Sequence, residues 1–291
     1  MKRKQEIIIG IIVIIVTVII LGYILVENIN KKENSIEYID TNIELDNSDE
    51  NIEWSNYEIK NLTLTESITI TEEGIYELSG EITNGMVTVN TKGNVKLILN
   101  NVTITNESGP AIYIKNAKNT VIYLKEETTN TLEDSSNYQT DEDINATIYS
   151  KDNLIFDGSG TLVIKANYQD GIVSKDNLKI KNGTFNITSI DDSIKGKDSV
   201  YIIDGNFNIT AGGDGIKSTN TSDKNKGYVY IENGNFEIDA TLDGIQAETK
   251  LLIKNGNIRL KLEMVVRIIV RKILGVTGVK RILQILKVRK D

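Results

Sequence analysis

The sequence contains no cysteine and no histidine, and both absences limit the chemistry that it can perform. Without cysteine the fold cannot be held together by disulfide bonds, which is compatible with the exterior of a bacterium. Without histidine it lacks the commonest general base and metal ligand. Any catalysis or metal binding must therefore use other side chains.

Proline is almost absent, with Pro110 alone, and residues 57–258 carry no long helical pattern. Short stretches such as Leu178–Ile180 and Phe185–Ile187 instead alternate apolar with polar residues, which is the spacing of a β-strand. Asn-Gly, Asp-Gly and Gly-Gly pairs between these stretches are typical of turns. The pattern predicts an all-β domain.

An acidic residue followed two positions later by isoleucine recurs every 22 residues. The units are Asp170-Gly171-Ile172, Asp192-Ser193-Ile194 and Asp214-Gly215-Ile216, with Asp243-Gly244-Ile245 following after a polar insert at 219–227. A fixed period of this size indicates a solenoid, whose units bury their apolar faces against each other. Two or three strands per unit, with no room for a helix, predict a right-handed single-stranded parallel β-helix. The Leu-x-x-Leu-x-Leu frame of a leucine-rich repeat is absent, and a β-sandwich would not space its strands so regularly.

The N-terminal part of the chain differs in composition from the repeats. A basic head at residues 1–6 precedes 20 uncharged, mostly apolar residues at 7–26, long enough to cross a bilayer as one transmembrane helix. Because the head is positive, we expect it to stay cytoplasmic and the remainder to be extracellular, with residues 7–26 acting as a signal anchor. Residues 27–55 are rich in Glu, Asp and Asn, which predicts an acidic, solvated stalk.

The C-terminal tail also departs from the rest. Before residue 259 the single arginine is Arg3, whereas residues 259–291 contain five. A natural tail of this kind would be a basic amphipathic or membrane-surface helix. If A-rich codons are assumed for residues 261–275, reading them two nucleotides later encodes a string rich in Gly, Asn and Ser, like the repeats. We therefore interpret residues 259–291 as a frameshift product. The β-helix domain is then predicted at 56–258.

Charge separates the two parts of the chain. The tail holds ten of the 33 basic and two of the 41 acidic residues, which leaves 23 basic and 39 acidic residues, a net charge of −16, in residues 1–258. An acidic extracellular body argues against nucleic acid as a partner. It favours divalent cations or neutral polymers.

Several strings in the repeats resemble a clostridial carbohydrate-binding β-helix family. They include ATIYSKDNL at 146–154, YQDGIVSKDNLKI at 168–180, AGGDGIKST at 211–219 and DGIQAE at 243–248. The resemblance implies a fold similar to pectate lyases, binding of cellulose or pectin-like acidic sugars, and bound calcium. It covers roughly residues 59–258.

In a parallel β-helix, equivalent positions of successive coils stack about 4.8 Å apart. The aspartates at the start of the units would then form a column of mutually repelling carboxylates: Asp170, Asp192, Asp214 and Asp243. Three arrangements could offset the repulsion. Each Asp could cap its own turn beside Lys175, Lys195, Lys197 and Lys217, the column could bind Ca²⁺, or Ca²⁺ and a Lys195 base could form a lyase centre.

A second acidic stretch could also hold calcium. Its spacing is similar to that of a calcium loop, although Ala146 stands where a glycine would be expected and no helices flank it. A solvated loop is the alternative. The candidate ligands are Asp141, Asp143, Asn145 and Asp152.

Two sets of aromatic residues recur in the repeats. Phe185, Phe207 and Phe236 share a phase with the following isoleucines and are predicted to stack in the interior. Tyrosines that point outward are predicted to stack on sugar rings, with Lys195 and Lys217 as further sugar contacts. These tyrosines are Tyr149, Tyr168 and Tyr201.

These observations favour a membrane-anchored, non-catalytic polysaccharide-binding module, assisted by calcium. A calcium-dependent polysaccharide lyase is the alternative, and a structural adhesin without a small ligand is a second one. The missing histidine, and the absence of arginine from residues 56–258, weaken the lyase interpretation.

Overall fold

A computed structural model of the protein describes residues 43, 45–49 and 51–262. The predicted head, the membrane span at 7–26, most of the stalk and the tail from 263 onward lie outside the described residues. Within them, 23 strands are joined by turns and one 3-10 helix at Trp54–Asn56. Among the residues described, no helix has the length and apolar character needed to cross a membrane.

Strands from successive coils form two sheets, in which neighbouring strands are parallel. The eight-stranded sheet, here called the short sheet, contains β2 (Ile68–Ile70), β4 (Val87–Asn90), β6 (Ile112–Asn116), β9 (Ala146–Ser150), β12 (Asp170–Ser174), β15 (Ile194–Gly196), β18 (Ile216–Ser218) and β21 (Ile245–Gln246).

The second sheet has fifteen strands and divides into two limbs at a long strand. It begins with β1 (Ile59–Leu64), β3 (Gly74–Ile82) and the dividing strand β5 (Asn94–Thr105). The first limb contains β7 (Asn119–Leu124), β10 (Asn153–Gly158), β13 (Asn177–Ile180), β16 (Ser199–Ile202), β19 (Tyr228–Ile231) and β22 (Leu251–Ile253). The second limb contains β8 (Thr129–Glu133), β11 (Thr161–Ala166), β14 (Thr184–Ser189), β17 (Asn206–Ala211), β20 (Asn235–Ala240) and β23 (Asn257–Leu262).

Each repeat contributes one strand to each of these three faces, so that equivalent residues pair across coils. Ile172 pairs with Ile194, and Ile194 with Ile216, which is the 22-residue period of the sequence. Ile216 pairs in turn with Ile245, because the polar insert is accommodated between β18 and β19. The prediction of an all-β solenoid of parallel strands is confirmed.

The interior is a continuous apolar core, and the phenylalanines form a column inside it. Phe185 and Phe207 stack with ring centroids 5.0 Å apart and an interplanar angle of 4°, and Phe207 and Phe236 with centroids 4.6 Å apart and an angle of 2°. All three rings belong to the buried core. The predicted stacking of these residues in the interior is confirmed.

The last described strand crosses the predicted end of the domain at 258. β23 pairs with β20 in register, so that Arg259 stands beside Glu237 and Lys261 beside Asp239. Both pairs are ion pairs on the surface. The repeat geometry therefore continues to residue 262.

Residues 45–49 differ from the predicted solvated stalk, because they lie against the first limb. We call them the strap. Asp49 is buried and forms ion pairs with Lys179 and Lys181, and Ser48 donates a hydrogen bond to Asn119. This part of the acidic stretch is held on the solenoid by lysines of β13 and the turn after it.

Candidate functional site

The predicted aspartate column exists at the edge of the short sheet. The backbone N–H of Asp192 donates to Asp170 Oδ1 over 3.0 Å, and that of Asp214 donates to Asp192 Oδ1 over 2.9 Å. Asp243 continues the series, with its N–H 2.7 Å from Asp214 Oδ1. Each carboxylate therefore caps the turn of the next coil rather than its own. Because Asp170, Asp192 and Asp214 are buried, these bonds replace water that the carboxylates have lost.

Two lysines neutralise the second oxygen of each buried carboxylate. Lys195 Nζ lies 2.8 Å from Asp170 Oδ2 and 2.7 Å from Asp192 Oδ2. Lys217 Nζ lies 2.6 Å from Asp214 Oδ2 and 3.5 Å from Asp192 Oδ2. Carboxylates and ammonium groups thus alternate along the column, which offsets the repulsion between neighbouring aspartates.

The environment of Lys195 keeps it protonated. Burial alone would lower the pKa of this ammonium group, but the carboxylates of Asp170 and Asp192 outweigh burial and raise the pKa above its ordinary value. The pKa of Lys217 is raised for the same reason by Asp214 and Asp192. Both lysines are therefore cations at neutral pH.

Asp170 is the most buried member of the column. Burial raises the pKa of its carboxyl to about 6, although Lys195 acts in the opposite direction. Asn145 also donates to Asp170 Oδ2 over 2.6 Å. This carboxyl therefore changes its charge in the mildly acidic range.

We expect the raised pKa of Asp170 to make stability depend on pH. The folded state binds this proton more tightly than the unfolded chain, whose carboxyl has a pKa of 3.8. The contribution of Asp170 to the free energy of unfolding is therefore largest below pH 4 and falls by about 2 to 3 kcal/mol as pH rises through 6. Urea unfolding of the wild type and of Asp170→Asn at pH 4 and pH 7 measures it. The same pH dependence in both proteins would contradict it.

Asp191 adds a third carboxylate beside the column. Asp170, Asp191 and Asp192 each offer an oxygen, and these oxygens lie within 4.8 Å of one another. An all-oxygen donor set of this kind suits Ca²⁺. The ammonium group of Lys195 contacts two of the three carboxylates, so it occupies the place of a cation. The residues fit calcium in their chemistry, with Lys195 as a competitor.

Beside the column, the outer face of the short sheet carries an open groove. Its volume is about 250 Å³, and it is lined by Val173, Ser174, Lys175, Lys195, Lys197 and Thr219. Lys175 and Lys197 are exposed, and Lys175 also lies 5.5 Å from the ring centre of Tyr149. The groove therefore presents positive charges to solvent in a chain that is acidic as a whole, whereas Ser174 is buried and its hydroxyl donates to backbone carbonyls.

The predicted calcium loop does not bring its four ligands together. Asp143 is exposed and lies 4.0 Å from Lys175, whereas Asp152 accepts a hydrogen bond from the backbone N–H of Ala117. Asn145 belongs to the aspartate column instead. Because no glycine turn closes this segment, its polar side chains make separate contacts, which the spacing of the residues alone did not indicate. The predicted set was Asp141, Asp143, Asn145 and Asp152.

Glu142 also lies in this loop, although it was not among the predicted ligands. Its carboxylate lies 2.6 Å from Lys151 Nζ and 3.1 Å from Lys115 Nζ, and it accepts a hydrogen bond of 2.6 Å from the Tyr113 hydroxyl. Hydrogen bonds from Lys151, Tyr113 and Lys115 lower the pKa of Glu142 to about 2. Glu142 therefore fastens the loop onto the short sheet.

The tyrosines predicted to be exposed for sugar stacking are covered. Tyr149 is 2% exposed, because Ile144 and Tyr138 of the loop pack over it. Tyr201 is 8% exposed, and its hydroxyl donates to Glu232. Tyr168 is partly buried and stacks on Tyr138, with ring centroids 4.4 Å apart. The prediction that these tyrosines are exposed is therefore wrong, and they do not share one face, because Tyr149 lies on the short sheet and Tyr201 on the first limb.

Comparison with known proteins agrees with this architecture. Residues 65–268 match a family described as carbohydrate-binding domain-containing protein. A protein of that description from Acetivibrio thermocellus is 34% identical over 126 residues, which are 41% of this chain and 44% of the relative. This match spans less than half of the relative's length.

A solved structure also resembles the chain. It is described as a polysaccharide lyase-like protein from C. thermocellum, in a gadolinium derivative. It aligns with a TM-score of 0.62 and 31% identity, covering 71% of this chain and 94% of the other. With the family match extending over well more than half of the sequence, the chain belongs to the family of carbohydrate-binding domain-containing proteins.

Proposed function

We propose that the chain is an extracellular, non-catalytic module that binds acidic, pectin-like polysaccharide in the groove of the short sheet. The observation that carries this proposal is the row of lysines lining that groove, which includes the exposed Lys175 and Lys197. Uronate carboxylates would pair with these ammonium groups, and a sugar hydroxyl would bond Thr219. Neutral cellulose is a weaker candidate, because it carries no carboxylate that could pair with the exposed Lys175 and Lys197.

The location of the module is part of the proposal. Residues 7–26 would span the membrane with the basic head in the cytoplasm, so that a right-handed, single-stranded β-helix stands outside the cell. An extracellular position suits a chain without cysteine and a ligand that cannot enter cells.

Calcium is proposed to assist binding at Asp170, Asp191 and Asp192. When bound, the ion would supply positive charge next to the groove. Lys195 would have to release the Oδ2 atoms of Asp170 and Asp192, which it contacts at 2.8 and 2.7 Å. Because protonation of Asp170 removes one anionic ligand, calcium binding should strengthen as pH rises through 6.

The lyase alternative places Lys195 as the base that removes the proton next to a uronate carboxylate. A base needs a free lone pair, and Lys195 stays protonated while its ammonium group contacts Asp170 and Asp192, which raise its pKa. This pairing favours binding over turnover as long as no cation displaces Lys195. An adhesin without a small ligand would leave the lysine groove without a role.

Neutralising the groove tests the proposal. In the full-length protein, Lys175→Gln combined with Lys197→Gln should weaken binding to polygalacturonate by about tenfold, as expected for two lost charge-assisted contacts. Isothermal titration with oligogalacturonate measures the affinity. The matched control combines Lys165→Gln with Lys254→Gln, which removes the same charge from exposed lysines outside the groove. An equal loss in both double variants would contradict a specific site.

A further inference from the structure

The outer face of the first limb carries a second row of lysine, aliphatic and tyrosine side chains. Strand register places these residues side by side along the solenoid axis, and we call the row the outer stripe. Its members are Lys96, Val121, Ile155, Lys179, Tyr201 and Tyr230. Tyr201 and Tyr230 stack with centroids 5.2 Å apart and an interplanar angle of 3°. Lys179 Nζ lies 5.6 Å from the centre of the Tyr201 ring.

The strap covers the middle of the outer stripe. Ile155 and Tyr201 lie outside the main apolar core, yet Ile155 is only 3% exposed. Both residues line a cavity of about 10 Å³ under the strap, together with Asp46 and Asp49. Such a cavity has room for about one water molecule, so the strap fits closely over the stripe.

The carboxylates of the strap contact lysine and asparagine side chains, as the carboxylates of a bound ligand would. Asp49 Oδ1 lies 2.9 Å from Lys179 Nζ, and Asp49 Oδ2 lies 2.6 Å from Lys181 Nζ. Asn177 Nδ2 donates to Asp46 Oδ2 over 3.3 Å. The side chains of Asp49 and Lys179 are 3% and 6% exposed, so the pair is shielded from water. The carboxylates of the strap thus meet two cations and an amide beside stacked aromatic rings.

We propose that the outer stripe is a second binding site for uronate-bearing polysaccharide, and that the strap occupies it as an intrachain competitor. Uronate carboxylates would replace Asp49 at Lys179 and Lys181, and the tyrosines uncovered beside them would pack on sugar rings. The site rests on the proposed function, since it takes the same class of ligand as the groove. The strap is covalently attached, so a ligand can bind the stripe only while the stripe is uncovered. The apparent affinity of the stripe is therefore its intrinsic affinity multiplied by the fraction of time that the stripe is uncovered.

Weakening the strap tests the competition. In the full-length protein, Asp49→Asn should tighten binding to oligogalacturonate about tenfold, as expected if the wild-type stripe is open for about a tenth of the time. Adding Lys179→Gln to Asp49→Asn should remove this gain. Glu58→Gln, which removes one negative charge from an exposed position, is the matched control. Isothermal titration measures the affinities, and circular dichroism establishes that the variants fold.

Hydrogen exchange of the wild type gives a second measurement that needs no variant. Saturating oligogalacturonate should increase exchange of the amides at 45–49, because the ligand displaces the strap. Cellulose oligosaccharides, which lack carboxylates, should leave this exchange unchanged.

The outcomes separate this site from the groove. Unchanged or weaker binding by Asp49→Asn, with exchange at 45–49 also unchanged, would overturn the competition while groove binding stands. Binding that appears only in Asp49→Asn would support the stripe and contradict the groove. Absence of binding in the wild type and in Asp49→Asn would overturn both.

Discussion

Replacing Phe207 by alanine is expected to lower the free energy of unfolding by about 3 to 5 kcal/mol. The Phe207 ring is sandwiched between Phe185 and Phe236, with centroids 5.0 and 4.6 Å away. Its removal leaves a cavity that the column cannot readily close, because strand pairing between successive coils fixes the backbone that carries each neighbouring ring. Equilibrium unfolding in urea, followed by circular dichroism, measures the loss.

The control for this prediction is Phe207→Leu, which keeps most of the buried volume. We expect it to lower the free energy of unfolding by less than half as much, because the remaining cavity is small. Equal losses for leucine and alanine would mean that the aromatic column, rather than the filled volume, determines stability. A negligible loss for alanine would contradict the stacked core.

Replacing Lys195 by methionine is expected to destabilise the protein by about 3 kcal/mol at pH 7. The change leaves the Oδ2 atoms of Asp170 and Asp192 without their shared ammonium group, while both carboxylates remain buried. The loss should be smaller near pH 4, because Asp170, with its pKa of about 6, is then protonated. Urea unfolding at both pH values, in the presence of a chelator, measures the effect.

The matched control is Lys197→Met, which removes an exposed lysine two residues away. Its effect should be within about 0.5 kcal/mol of zero. Calcium should restore part of the stability of Lys195→Met, because a cation can then use Asp170, Asp191 and Asp192 without competition. Failure of calcium to do so would contradict the proposed ion site. Equal stability of wild type and Lys195→Met would contradict the structural role of the column.

The repeat allowed the fold and the column to be predicted from the sequence. A period of 22 residues fixes which residues are equivalent, and parallel pairing then brings equivalent residues together. The positions of Asp170, Asp192 and Asp214 followed from this geometry, as did the stacking of Phe185 and Phe207. Local pattern is sufficient here because each residue meets its own counterpart in the next coil.

The tyrosines and the strap could not be predicted in this way. Alternation within β16 indicates that Tyr201 points away from the core, but it does not indicate what lies outside. Asp49 reaches Lys179 across 130 residues of sequence, and no repeat relates the two positions. Tyr149 is covered by a loop whose length and composition are unique to one coil. Asp191 was missed because the other coils have no acidic residue at its position, although the Asp191-Asp192 pair itself was a visible signal.

The most direct test of the account is one assay that records binding and turnover together. Full-length protein is mixed with insoluble polygalacturonate, and retention on the polymer is measured alongside the ultraviolet absorbance of an unsaturated product. We predict retention, reduced on combining Lys175→Gln with Lys197→Gln, without any increase in absorbance. Product formation would contradict a non-catalytic module and make Lys195 the first residue to replace. Absence of retention would contradict polysaccharide binding in the groove.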